Sequence, residues 1–256
     1  MTTLLHDMPR RGKAFADASA HRVAAANANA LLLLEQFDAV VSTPEAVDEL
    51  DRAILQLAVQ GKLVAQDPND EPASELLKRI RDEQDPKGFQ KPFGSIRDDE
   101  KPFELPVGWE WASIPDVSFN WGQKKPDKTF TYIDVSSIDN QVGEIGDGLQ
   151  IVEPEDASSR ARKIVQQGSV IYATVRPYLL NIAIVDQEFN PPPIVSTAFY
   201  VMHPRKGVDG RFLLLYLRSR FFIDFVSLHS TGIAYPAISD SKFSLGVVPL
   251  PPTNEQ

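Results

Sequence analysis

The feature that most constrains this chain is a change of pattern near Pro106. Before it, apolar residues recur at spacings of three and four; after it they fall in short β-rich runs separated by Gly, Pro, Asn and Asp. The two periods require two kinds of local structure, so the predicted fold class is α+β. It comprises an N-terminal helical segment followed by a mixed, β-rich domain with one long packed helix.

In the helical part, Thr43-Pro44-Glu45 supplies a capping hydroxyl, a proline for the first helical turn and an early carboxylate. Val47, Leu50, Ile54 and Leu57 follow on one narrow seam, and Gly61 stands where a left-handed C-terminal residue belongs. The seam suits pairing with one other helix; packing on a globular core is an equal alternative. Residues 14–37 make a poorer helix because Asn27 and Asn29 disfavour it. A turn cluster, Asp67 to Pro72, precedes a predicted helix from Ala73 to Gln84 with Leu76, Leu77 and Ile80 inward. Residues 85–102 are rich in Lys, Pro, Gly and Asp, which marks a linker between a segment 1–84 and a domain 103–248.

In that domain, strands are predicted over Thr129–Val135, Ser169–Val175, Ile182–Val185 and Thr197–Met202. A single helix from Asp209 to Leu228 is apolar over most of its circumference, so it should pack on the sheet. At the end, an apolar run meets Pro249, Pro251 and Pro252, and Thr253-Asn254-Glu255 reads as the opening of another helix over 249–256.

Composition excludes several chemistries. The chain has no cysteine, which removes disulfides and thiolate metal sites and favours a reducing compartment. Its four histidines lack metal-ligand spacing. The N-terminal apolar run Leu31 to Leu34, closed by Glu35, is too short for a signal peptide or membrane span, so the cytoplasm is the expected location. The net charge of -9 argues against polyanion binding over the whole surface, yet residues 157–185 contain Arg160, Arg162, Lys163 and Arg176 and no acid.

Asn190-Pro191-Pro192-Pro193 approaches an adenine methyltransferase motif, but the aromatic residue that would stack on a flipped base is missing, and a polyproline loop is the better reading. Gly143, Gly146 and Gly148 are flanked by Glu144 and Asp147, which would repel a phosphate; a turn is expected. Asp116, Asp134 and Glu153 could form a metal-dependent nuclease site, though no nearby lysine supports them.

Three polar and aromatic loops point to nucleic acid instead. Trp121-Gly-Gln-Lys-Lys-Pro126 contributes Lys124 and Lys125, suited to phosphates. Arg176, Tyr178 and Asn181 sit at a predicted hairpin tip, and Thr231 and Tyr235 on a loop after the long helix. Ser136, after the first predicted strand, completes the candidate DNA-binding set.

Several strings then resemble the specificity subunit of type I restriction-modification systems. They are Ile54-Leu-Gln-Leu-Ala-Val-Gln-Gly-Lys-Leu-Val64, Asp67-Pro-Asn-Asp-Glu-Pro-Ala-Ser74, Leu105-Pro-Val-Gly-Trp-Glu-Trp111, the Ser230-Thr-Gly loop leading to Pro236 and Ile238, and Pro249-Leu-Pro-Pro-Thr-Asn-Glu-Gln256. Their order and spacing carry the resemblance over about residues 45–256. It implies a non-catalytic, DNA-reading subunit without cofactor or metal of its own, here the N-terminal portion with the first of two target recognition domains. Double-stranded DNA, methyltransferase subunits and, through them, restriction subunits are the implied partners, with no membrane. The rival readings are a scaffold that docks a methyltransferase subunit, and an independent methyltransferase or nuclease. The helix opening at Thr253 resembles the start of the family's spacer helix. Its absent continuation would leave the Val47, Leu50, Ile54 and Leu57 stripe seeking a substitute, such as a second copy of the chain.

Overall fold

Short strands that are apolar at successive positions need cover on both faces, and the computed structural model, which describes residues 43–83 and 96–256, provides it with a second sheet on one face and helices on the other. One four-stranded sheet has the order β2-β11-β8-β9: β2 Ser118–Phe119, β11 Phe199–Pro204, β8 Val170–Ala173 and β9 Ile182–Ile184, all antiparallel. The other has the order β6-β3-β10-β7: β6 Gln150–Val152, β3 Phe130–Ile133, β10 Pro193–Ser196 and β7 Ala161–Ile164, with β3 and β10 parallel. Alternation divides the side chains between two cores. Ile171, Ala173, Phe199 and Val201 join Ile133 and Val195 of the second sheet, whereas Val170, Tyr172, Tyr200 and Met202 join the helices.

The helical cover differs from the single helix expected over 209–228. Two helices form, α4 Gly210–Leu217 and α5 Arg220–His229, separated at Arg218 and Ser219. Asp209 caps α4 by accepting from the Arg211 and Phe212 amides at 2.6 and 3.3 Å. The break lets the fully buried Ser219 take an extended conformation as the start of α5, and turns the Arg218 guanidinium toward the Asn140 and Gln141 carbonyls at 3.1 and 2.8 Å. The break falls at the polar triplet Arg218-Ser219-Arg220, which sits between two apolar runs.

Strands at Phe130–Ile133, Val170–Ala173, Ile182–Ile184 and Phe199–Pro204 lie within or beside their expected spans. Ala161–Ile164 is an additional strand, and Pro193 opens another rather than closing a polyproline loop. A two-stranded hairpin, β4 Ile138–Asp139 with β5 Glu144–Ile145, contains Gly143 in the left-handed region, so the expected turn is present.

Contacts divide the chain into Met1–Ile54 and Leu55–Gln256. Helix α1, Pro44–Val59, crosses that boundary; Val47, Ile54 and Leu57 are 40%, 44% and 42% exposed and Leu50 is half-buried. In the larger unit Leu55 and Val59 pack on the core, together with Leu76, Leu77 and Ile80 of α2, Ala73–Asp82. Helix α2 therefore shares a core with Trp109 and Trp111, which follow the expected linker at 85–102 in the sequence. Residues 84–95 of that linker, and the expected helix over 14–37, lie outside the described residues.

The terminal strand β12, Val247–Leu250, pairs antiparallel with β1, Glu110–Ser113, which leads into the short helix α3, Ile114–Val117. Beyond it, Thr253–Glu255 forms a 3-10 turn rather than an α-helical one. Its side chains reach into the domain: the Trp109 indole donates to Gln66 at 2.8 Å and Glu255 at 2.7 Å, Asn254 donates to Asp70, and Gln256 bonds the Asp209 amide and the Gly207 carbonyl. Among the described residues no helix is long and apolar enough to cross a membrane.

Candidate nucleic-acid interface

Two of the three loops are stitched into one surface. At the β8–β9 hairpin tip, Arg176 and Leu180 are both left-handed, at φ 48° and 54°, and bracket a 3-10 turn, Pro177–Leu179. Such conformations cost non-glycine residues on the order of 1 kcal/mol each, so neighbouring structure must hold the tip. The loop after α5 does so. Its base is closed by reciprocal amide-to-carbonyl bonds between Thr231 and Ala237, both 2.9 Å, and it accepts from the Arg176 amide at the Pro236 carbonyl, 2.8 Å. Ile238 extends the contact by donating to the Thr174 carbonyl at 3.0 Å. Above this backbone seam the Arg176 guanidinium lies 4.5 Å from the centre of the Tyr235 ring. At an exposed site this cation–π pairing contributes about 0.5–1 kcal/mol, enough to bias the long Arg176 side chain toward one orientation.

The first loop is anchored separately, alongside β7. Lys124 donates its amide to the Arg162 carbonyl at 2.8 Å, and the Ile164 amide donates to the Gly122 carbonyl at 3.1 Å. Lys124 and Lys125 are exposed; the Lys124 ammonium is 3.2 Å from Asp127, a solvent-screened pair of little net strength that leaves the ammonium free to move to a phosphate. Trp121 is half-buried against Phe119 and His203, with ring centres 4.9 and 5.1 Å away. Burial lowers the His203 pKa, and its Nδ1 lies 3.1 Å from the Ser169 hydroxyl. The aromatic member of this loop therefore packs the domain.

A buried cation ties the first loop to the other two. Lys163 on β7 has a side chain only 9% exposed, and its ammonium donates to the Phe199 carbonyl and to the Asp240 carboxylate, each at 2.6 Å. Asp240 opens helix α6, Asp240–Phe243, directly after the Thr231–Ile238 segment. Lys163 belongs to the acid-free basic stretch of the sequence, but its charge is directed inward. The Arg162 guanidinium bonds the Ala161 carbonyl at 2.8 Å, and Arg160 is exposed.

Of the sequence-derived set, Arg176, Tyr178, Thr231 and Tyr235 lie on the stitched loops. Asn181 is half-buried, and its carbonyl accepts from Ala173 within the hairpin. Ser136 lies elsewhere, exposed in the turn Val135–Ser137. That turn leads to Asn140, whose amide donates to the Leu179 carbonyl at 2.9 Å and so reaches the hairpin tip. Asn140 and the fully exposed Ile233 of the third loop are absent from the sequence-derived set. An isolated apolar residue in the polar Thr-Gly-Ile-Ala-Tyr string was the available signal for Ile233.

The other chemical candidates are engaged structurally. Asp116 is buried and accepts from the Ser113 hydroxyl at 2.9 Å; Asp134 accepts from the Val135 amide and Glu153 from the Thr129 hydroxyl. Among the described residues no cluster of three or more His, Asp or Glu is placed to hold a metal ion. The Pro191 and Pro192 carbonyls accept from the side chain and amide of Thr131 at the edge of the β3–β10 pair.

No family model matches the chain. In an alignment 239 residues long that covers 87% of the chain, it is 36% identical to the EcoAI type I restriction enzyme specificity subunit of Escherichia coli. The EcoEI specificity subunit of the same organism is 52% identical over 92 residues, 34% of this chain and 16% of that subunit. Among solved structures, the HsdS subunit from Thermoanaerobacter tengcongensis matches 60% of this chain with a TM-score of 0.52 and 35% identity. A structure addressing complex assembly and conformational transition of the type I R-M system gives a TM-score of 0.53 at the same identity and coverage. The chain spans 40% of the EcoAI subunit and 40% of each of these two solved chains.

Proposed function

We propose that this chain, a homologue of type I restriction enzyme specificity subunits, reads one half of a bipartite DNA target and is not itself an enzyme. It directs methyltransferase subunits, and through them restriction subunits, to that target in the cytoplasm. The observation that carries the reading is the stitched pair of loops, on which Arg176 is held over Tyr235 beside the exposed Tyr178. A guanidinium fixed on a rigid platform suits bidentate contact with the O6 and N7 of guanine in the major groove. Lys124 and Lys125 are suited to phosphates; Ser136, Asn181 and Thr231 supply shorter polar contacts.

The test is a duplex-binding titration with the assembled complex on its own target, taken from the modified positions in host DNA. Arg176→Ala should weaken cognate binding about tenfold or more while leaving non-specific binding nearly unchanged. Lys124→Ala with Lys125→Ala should weaken all sequences alike and reduce the salt slope by roughly one per lysine. An unaltered cognate affinity for Arg176→Ala would remove that residue from the reading.

A second reading is favoured by the exposure of Val47, Ile54 and Leu57 on α1. In this reading the seam, with Leu50, docks a methyltransferase subunit or a second copy of the chain. Leu50→Asp with Leu57→Asp should then abolish co-purification with that subunit or convert a dimer to a monomer by light scattering. Retention of both associations would dismiss the seam.

A further inference from the structure

The stitched loops expose more apolar surface than their polar sequence leads one to expect. Val175, Tyr178, Leu179, Ile233 and Tyr235 are all exposed large apolar side chains on two short segments joined by the Arg176–Pro236 and Val175–Ala237 pairings. Ile233 is the extreme, at 106% of its reference exposure. A lone exposed apolar residue requires no explanation; five on one stitched surface beside a fixed guanidinium mark a contact surface.

The Ile233 loop is also rigid at its base. The two Thr231–Ala237 hydrogen bonds close it, and Gly232 takes φ +97°, where an added Cβ would lie 2.9 Å from the Tyr235 carbonyl. A braced loop loses little conformational freedom on contact, so a small apolar contact at its apex is not cancelled by ordering entropy.

We infer that Ile233 is a specificity-determining residue that reads the C5-methyl group of a thymine in the major groove, next to the base pair contacted by Arg176. The inference rests on the DNA-reading role proposed above. Its chemistry is that of the groove: where arginine meets guanine O6 and N7, the thymine methyl is the apolar feature on the base edges, and an aliphatic side chain is its complement. A protein surface could also cover the patch, but Arg176 on the same platform favours a ligand offering acceptors and a methyl side by side.

The experiment selects bound duplexes from a randomised library with the 256-residue chain, then replaces each thymine of the enriched sequence by deoxyuridine, which lacks only the methyl. Wild type should lose roughly three- to fivefold in affinity at one thymine, the value of one apolar carbon removed from water. Ile233→Ala should lose a similar factor on the thymine duplex and nothing further on the deoxyuridine duplex, because the partner methyl is already absent. The side chain is fully exposed, so the variant should melt with wild type. Enrichment without a methyl-sensitive thymine, or an equal deoxyuridine loss in both proteins, overturns the inference and leaves the DNA-reading role standing. No enrichment at all defeats that role and the inference with it. Loss of methyltransferase-subunit capture by Ile233→Ala, with DNA affinity unchanged, overturns the inference in favour of a protein contact.

Discussion

Replacing either member of the Lys163–Asp240 pair should have unequal effects, because the two charges differ in their access to water. Lys163 has a side chain 9% exposed and Asp240 one 53% exposed, with 2.6 Å between ammonium and carboxylate. Asp240→Asn keeps the shape but leaves the ammonium inside without a counterion. Breaking a fully buried pair from one side costs about 3–5 kcal/mol. The exposure of Asp240 screens part of the attraction, so about 2 kcal/mol is expected here. Lys163→Met removes the buried charge itself. Asp240 then rehydrates, and the remaining loss is the donor to the buried Phe199 carbonyl, about 1 kcal/mol and partly offset by the apolar methionine. The double variant should match Lys163→Met alone, which makes the single effects non-additive. Urea denaturation followed by tryptophan fluorescence measures all three. At about 2–4 °C per kcal/mol for a unit of this size, Asp240→Asn should lower Tm by roughly 4–8 °C. A larger loss for Lys163→Met than for Asp240→Asn, or strict additivity in the double variant, would refute the argument that the buried ammonium dominates.

Three further outcomes follow from other parts of the domain. Gly246→Ala places a Cβ 2.8 Å from the Phe222 ring and 3.0 Å from Ile114, so overpacking should cost about 1–3 kcal/mol in the same denaturation assay. Trp109→Phe removes the indole donor shared by Gln66 and Glu255; a loss of about 1–2 kcal/mol is expected, with faster proteolysis at the C-terminal turn. Burial lowers the His203 pKa, so the unfolded chain takes up that proton first as pH falls: the histidine's contribution is present above its unfolded pKa of about 6.5 and is lost as pH drops through the folded value. Wild type should therefore lose more Tm between pH 7.5 and 5.5 than His203→Phe, and equal losses in the two proteins would exclude His203 as the source.

The sequence alone determined the features encoded by neighbouring residues. The β-branched and aromatic runs at 130–133, 170–173 and 199–204 announced strands, and Asp209 announced a helix start, because pleat and cap geometry depend on residues a few positions apart. It did not announce the division of that helix: Arg218-Ser219-Arg220 is as compatible with one exposed helical turn as with a break, and the break is useful only where Arg218 meets the Asn140 turn. Nor did it mark Arg-Ala-Arg-Lys-Ile as a strand, since its basic side chains look like a solvated segment. Tertiary structure decided which of them faced inward, directing Lys163 to a carboxylate 77 positions away. The loops show the same division. Arg176 and Tyr235 could be named singly as candidates, yet the 58 residues between them carry no local sign that guanidinium and ring will meet. That meeting depends on the Arg176 amide donating to the Pro236 carbonyl and the Ile238 amide donating to the Thr174 carbonyl, and only the folded sheet and helices bring those backbones within reach.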